Sequence, residues 1–197
     1  MALQLAQYRT YGQFRSVYEP VSVRFFYEGR TECARATSLE KCNLVKAIEN
    51  GFDIETLYSL MQVASVAHTE RINDCQRGFG IERHLYGLEQ MYYLFGSELG
   101  INNLPEMFRD EGYVTMRHDF ISTSGMAYEN AKYRMFAPVV KDGHGLAYFL
   151  LENTISINLS SFIHNAIKGK QLINHTVEAL SELREIANSA ISHKRIS

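Results

Sequence analysis

A chain of 197 residues with 46% hydrophobic and 12% aromatic residues is long enough to bury a core and too apolar for a disordered segment. Its net charge of −2, with acids and bases interspersed, excludes the concentrated basic face of a nucleic-acid binder. No apolar run is long enough to span a bilayer, and three widely spaced cysteines (Cys33, Cys42, Cys75) form neither a CxxC nor a zinc pattern. Free, mostly buried thiols are expected.

Met1, Leu5, Tyr8 and Tyr11 recur at three- and four-residue steps, which predicts a helix over Met1 to Tyr11 with Gly12 as its stop. It begins without a cap or a secretory leader, as a helix cut from a longer chain would. Ser16 to Phe26 is rich in Val, Tyr and Phe and predicts a strand, with Pro20 marking an edge or bulge and Gly29 closing it. Ser38 is the expected N-cap of a helix from Leu39 to about Glu49, followed by an Asn50-Gly51 turn. A long helix is expected from Asp53 to about Arg77, broken by Gly78-Phe79-Gly80 and resumed from Ile81 to Leu99. A short helix follows near Leu104 to Arg109.

From Val114 the pattern changes to short strands: Val114, Phe120 to Ser122, Met135 to Val140, Leu146 to Leu151 and Thr154 to Leu159. Asp142-Gly143-His144-Gly145 reads as a turn, and Gly169 to about Ile191 as a closing helix. With no repeat, low-complexity tract or linker, the expectation is one α/β domain over 1–197, a mixed sheet flanked by helices.

Several short motifs carry chemistry. Tyr18-Glu19 sits on a strand, where a tyrosine is ordinarily packed and hydrogen-bonded for structural reasons. Gly29-Arg30-Thr31 reads by itself as a turn with a polar tail. Arg83 follows the double-glycine break, where a guanidinium can offer a forked donor to a carboxylate or simply pair with an acid on its own helix. In Ser122-Thr123-Ser124 the two serines share one strand face and Thr123 faces the other. Two hydroxyls on one face can donate to an oxyanion or to a ligand amide, although Ser/Thr-rich strand ends are also common.

Histidine is the commonest general base, so the seven histidines (His68, His84, His118, His144, His164, His175, His193) are the first candidates for one. None belongs to a His-x-x-x-Asp-Gly motif; His144 reads as a turn residue and His84 as pointing away from Arg83. There is no Gly-x-Ser-x-Gly elbow, no Walker loop, no Gly-x-Gly-x-x-Gly and no metal-ligand cluster. A self-contained catalytic centre is not expected.

In order along the chain, Tyr18-Glu19, Arg24, Gly29-Arg30-Thr31-Glu32, Arg35, Glu82-Arg83-His84-Leu85-Tyr86-Gly87-Leu88, Ser122-Thr123-Ser124 and Phe136-Ala137-Pro138-Val139-Val140 resemble the C-terminal half of the carnitine/choline O-acyltransferase family. Leu104-Pro105-Glu106-Met107-Phe108, Asp142-Gly143-His144-Gly145 and Ser160-Ser161-Phe162 fall in family order as well, so the resemblance runs from Met1 to about Ile186.

The resemblance implies a chloramphenicol acetyltransferase-like half-domain of a carnitine-type enzyme that moves an acyl group between coenzyme A and the hydroxyl of carnitine. Tyr18, Thr31 and Arg83 would hold the carnitine carboxylate, Ser124 would stabilise the oxyanion, Ser122 would support the strand or the pantetheine arm, and Phe136 would line the trimethylammonium pocket. The catalytic histidine and the coenzyme A phosphate grip would lie in an N-terminal half upstream of Met1, so the expected partners are that half, carnitine and acyl-CoA, with no metal and no nucleic acid. A soluble intracellular location is implied, mitochondrial, peroxisomal or cytoplasmic.

Three positions depart from the pattern: Pro20 in place of a serine, Gly125 in place of a glutamine, and Arg134 where long-chain members carry glycine. The last argues against a long acyl tunnel unless its side chain turns outward, so acyl length stays open. Two rival readings remain open: a catalytically silent binding module or pseudoenzyme, and a homo-oligomeric enzyme using His84, His118 or His144 of a neighbour.

Overall fold

Helix α1 (Ala2–Tyr11) ends where the sequence places its stop, with Gly12 at φ 70° returning its N–H to the Tyr8 carbonyl. The computed structural model describes residues 1–125 and 133–196, and side chains up to residue 192. Residues Gln4, Leu5, Ala6, Gln7 and Thr10 of α1 are buried, a wider face than the Met1-Leu5-Tyr8-Tyr11 stripe suggests, because α1 packs along α6 (Ala166–Ile196). Helix α2 (Leu39–Glu49) begins at Ser38, whose side chain accepts the Lys41 N–H, and α3 (Ile54–Gln76) begins at Asp53, which accepts from Thr56. Leu5, Leu44, Val45, Leu57, Leu183 and Ile186 join these four helices in one core.

The expected strand over Ser16 to Phe26 divides. Strand β1 (Val17–Tyr18) ends before Pro20, which has no N–H for a ladder; β2 (Pro20–Ser22) then pairs antiparallel with β3 (Thr31–Cys33) in a separate sheet. The main sheet has order β1-β4-β5-β6, where β4 is Ile121–Gly125, β5 is His144–Leu150 and β6 is Ile155–Ser161. Pairs β1–β4 and β4–β5 are parallel, and β5–β6 is an antiparallel hairpin. The expected α/β class with a mixed sheet flanked by helices is what the structure has. Ala6, Val17, Phe120, Ile121, Leu146 and Leu172 fill the space between sheet and helices.

Three local expectations fail for physical reasons, and two helix boundaries shift. Val114 lies in α5 (Glu111–Arg117), not a strand, because Asp110 caps that helix by accepting the Tyr113 N–H. Met135 to Val140 forms no strand; Ser160 donates instead to the Phe136 carbonyl and pins an irregular segment. His144 is not a turn residue: its N–H donates to the Phe120 carbonyl at 2.8 Å and opens β5, fully buried. Helix α4 (Glu82–Phe95) stops four residues short of Leu99, and α6 starts three residues before Gly169.

Candidate functional site

Strand alternation decides which residues can meet. Val17, Glu19, Thr123, Leu146 and Tyr148 point to the helical side, where with α1, α3 and α6 they line a mostly apolar cavity of about 480 Å³. Tyr18, Ser122 and Ser124 therefore point to the opposite face. Register places Tyr18 beside Ser122, Ser122 beside Gly145 and Gly145 beside Ser160, one row across four strands. Phe136 sits over that row: a Cβ on Gly145 would lie 2.7 Å from the Phe136 carbonyl and 3.1 Å from its ring. Ser124 stands in the next row beside Ala147, half-buried, while Ser122 is only 6% exposed. Thr123 spends its hydroxyl on the Tyr18 carbonyl at 2.8 Å, tying β1 to β4.

Arg83 reaches this face from the first turn of α4. Its Nη2 donates to the Tyr18 hydroxyl at 2.8 Å and its Nε to the Thr31 carbonyl at 3.3 Å. The guanidinium also lies 5.7 Å from the Tyr18 ring centroid. Tyr18, Thr31 and Arg83, distant in sequence, thus form one cluster. The nearest acids are committed elsewhere. Glu82, 3% exposed, takes two bonds from Arg35 at 2.6 and 3.2 Å, and Arg117 stands 3.5 Å away. Burial opposes the charge on Arg35, but Glu82 and Asp119 raise its pKa well above the usual value. Glu32 accepts the backbone N–H groups of Cys33 and Arg83. Among the described residues the Arg83 guanidinium meets a hydroxyl and a carbonyl, not a carboxylate, so it keeps charge available for an anion.

The sequence reading passed over the polar cluster on the far side of the sheet. Lys41 Nζ donates to the Ala36 carbonyl at 2.9 Å and stands 3.0 Å from His68 Nδ1, with Glu19 Oε2 3.6 Å from His68 Nε2. Burial lowers the Lys41 ammonium to about 8; burial would raise Glu19, but the bond to His68 holds it below the usual range. Tyr18-Glu19 therefore straddles the strand, one residue facing each side. The signal was present in the alternation itself.

His144 is enclosed, with the Tyr11 hydroxyl 2.5 Å from Nε2 and the Ser161 hydroxyl 2.7 Å from Nδ1. Burial lowers its pKa and keeps it neutral. His118 pairs with Asp142 at 2.9 Å, His164 with the Lys141 carbonyl and His175 with Thr10. His84 is exposed on α4, and the side chain of His193 lies outside the described residues. Among the described residues no group of acids, histidines and cysteines has the arrangement of a metal site.

A sequence model of the choline/carnitine O-acyltransferases matches residues 1–178. The human carnitine O-acetyltransferase is 34% identical over 191 residues, covering 96% of this chain and 30% of the relative. The pigeon (Columba livia) carnitine O-acetyltransferase is 34% identical over 196 residues, covering 98% of this chain and 30% of the relative. The rat mitochondrial carnitine O-palmitoyltransferase 2 is 33% identical over 165 residues, covering 82% of this chain and 24% of the relative. The chain thus spans about 30% of the length of the carnitine O-acetyltransferases it matches. Its ordered motifs, mixed α/β fold and sequence match together show that the chain belongs to the choline/carnitine O-acyltransferase family.

Proposed function

We propose that this chain supplies one wall of a carnitine O-acyltransferase, the C-terminal part that recognises carnitine and steadies the oxyanion while an acyl group passes between coenzyme A and the carnitine hydroxyl. The observation that carries the reading is the Arg83 guanidinium bonded to Tyr18 beside Thr31, with no carboxylate partner among the described residues. A ligand carboxylate would complete it with charge-assisted bonds from Arg83 and a donated Tyr18 hydroxyl, contacts that choline cannot make. The Thr31 hydroxyl is the third donor in this reading.

In the reaction the carnitine oxygen attacks the thioester carbonyl and its proton passes to a base. The tetrahedral oxyanion then collapses, and the coenzyme A thiolate leaves and takes that proton. Ser124 is assigned to the oxyanion, Ser122 to the strand or pantetheine side, and Phe136 to the trimethylammonium group. The base is assigned to an N-terminal half, because five of the seven histidines are engaged with other groups away from this row. The complete burial of His144 also argues against its serving a neighbouring copy. Further support for a covering half comes from α4, whose Leu88, Met91 and Leu94 are 46%, 47% and 68% exposed. Among the described residues no helix is long and apolar enough to cross a membrane.

The test is thiol release from acetyl-CoA with L-carnitine, alongside an NMR titration of the chain with L-carnitine. Binding without turnover is expected. Carnitine-dependent turnover by the chain alone would defeat the assignment of the base to another half, and absence of binding would defeat the recognition role.

A further inference from the structure

Helix α4 is buried only at its first residue, Glu82, out of fourteen. The helix follows Gly78-Phe79-Gly80, and Ile81 at its N-cap offers no side-chain bond to the free N–H groups behind it. The missing cap comes from another strand. Glu32 on β3, 7% exposed, turns its Oε1 onto the Arg83 N–H at 3.1 Å and the Cys33 N–H at 2.7 Å. A negative carboxylate at a helix N-terminus also meets the positive end of the helix dipole. Space is cleared for it at Gly80, where a Cβ would fall 2.2 Å from Glu32 Cγ.

The neighbouring residue completes the grip. Thr31 accepts from Arg83 Nε while Glu32 accepts from the Arg83 backbone N–H. One dipeptide therefore holds Arg83 at both its main chain and its side chain. The Arg35–Glu82 pair fixes the same turn one residue earlier, and its bonds run between Arg35 and Glu82 rather than to the Arg83 side chain.

We propose that Glu32 is a positioning residue, an N-cap supplied from β3 that sets where Arg83 presents its guanidinium. The consequence for ligand choice rests on the reading of Arg83 as a carboxylate site; the positioning itself does not. Loss of the Glu32 cap lets the first turn of α4 fray, so the guanidinium loses its aim while Tyr18, Ser122 and Phe136 keep theirs.

The experiment is amide and guanidinium hydrogen exchange with NMR titration on wild type, Glu32→Ala and Glu32→Gln. In Glu32→Ala, exchange at the Arg83 N–H and Nε–H should rise about tenfold, the size of a lost helix cap, with Leu44 and Val45 in α2 unchanged. Affinity for L-carnitine should fall while affinity for choline, which lacks the carboxylate, stays within twofold. Glu32→Gln keeps an acceptor and should recover most of the protection. Should Glu32→Ala fail to fold, Glu32→Asp withdraws the carboxylate from Arg83 and carries the same test. Unchanged exchange at Arg83 in a folded variant overturns the proposal, as does an equal loss for both ligands. If wild type binds no L-carnitine yet Arg83 exchange still responds to Glu32, the carboxylate reading falls and the positioning role stands.

Discussion

Arg83 and Tyr18, 65 residues apart in sequence, meet at 2.8 Å between Nη2 and the phenol oxygen. The phenol accepts in that bond, which among the described residues leaves its own O–H to donate to a ligand. The guanidinium needs no nearby acid to hold it in place, because a phenol and a carbonyl do so. In the proposed reading such a pair is pre-aimed at an anion and loses little by binding one, since among the described residues no ion pair of Arg83 has to break.

Removing the charge should therefore weaken carboxylate binding directly. Arg83→Ala is expected to cost on the order of 2 kcal/mol in L-carnitine affinity, the low end for a charge-assisted contact because the site is open to water. Tyr18→Phe removes one donor and one acceptor and should cost about 1 kcal/mol. Choline affinity should change little in either variant. Calorimetric titration of both ligands checks this, and an equal loss for choline would show that the site reads the ammonium group alone.

Ser124 is half-buried beside Ala147, on the sheet face that carries Tyr18 and Ser122. In an enzyme assembled with the remaining part, Ser124→Ala should lower kcat about 10²- to 10³-fold with little change in KM for carnitine. Steady-state kinetics of thiol release decide it; a change confined to KM would place Ser124 in binding instead.

Legibility in the sequence followed the range of the forces involved. Ser38 and Asp53 announced two helix starts and Gly12 a helix end, because caps act within a few residues. The shared face of Ser122 and Ser124 followed from strand alternation alone. Strand β3 and the cap from Glu32 were not legible, since a three-residue strand pairs with distant partners and shows no periodicity. The same holds for His144: two flanking glycines suggested a turn, whereas its place is set by Phe120, Tyr11 and Ser161, all remote in the chain. No spacing rule brings Arg83 to Tyr18; only the order of motifs shared with relatives pointed there.

Gly29, the first residue of Gly29-Arg30-Thr31, has a steric role distinct from any contact with ligand. Its N–H closes onto the Phe26 carbonyl, and a Cβ there would sit 2.1 Å from the Val23 carbonyl. That obstacle is backbone and cannot swing aside. Gly29→Ala should destabilise the β2–β3 hairpin by about 1–3 kcal/mol and loosen Thr31 at its end. Urea unfolding measures the loss, and a change under 0.5 kcal/mol would show that the loop yields freely.

His144 gives the fold a pH dependence whose sign follows from its burial. Its folded pKa lies below the ordinary histidine value of about 6.5, because the enclosed imidazolium would lose its hydration. The unfolded chain therefore takes up this proton at higher pH than the folded one. The stability owed to a neutral His144 is fully present above about pH 6.5 and is lost as pH falls through the lower, folded value. His144→Gln removes that dependence while keeping a polar side chain between Tyr11 and Ser161. Urea midpoints from pH 7.5 to 5 should fall more steeply for wild type than for His144→Gln. Parallel curves would mean that the buried imidazole titrates alike in both states and that the acid sensitivity arises elsewhere.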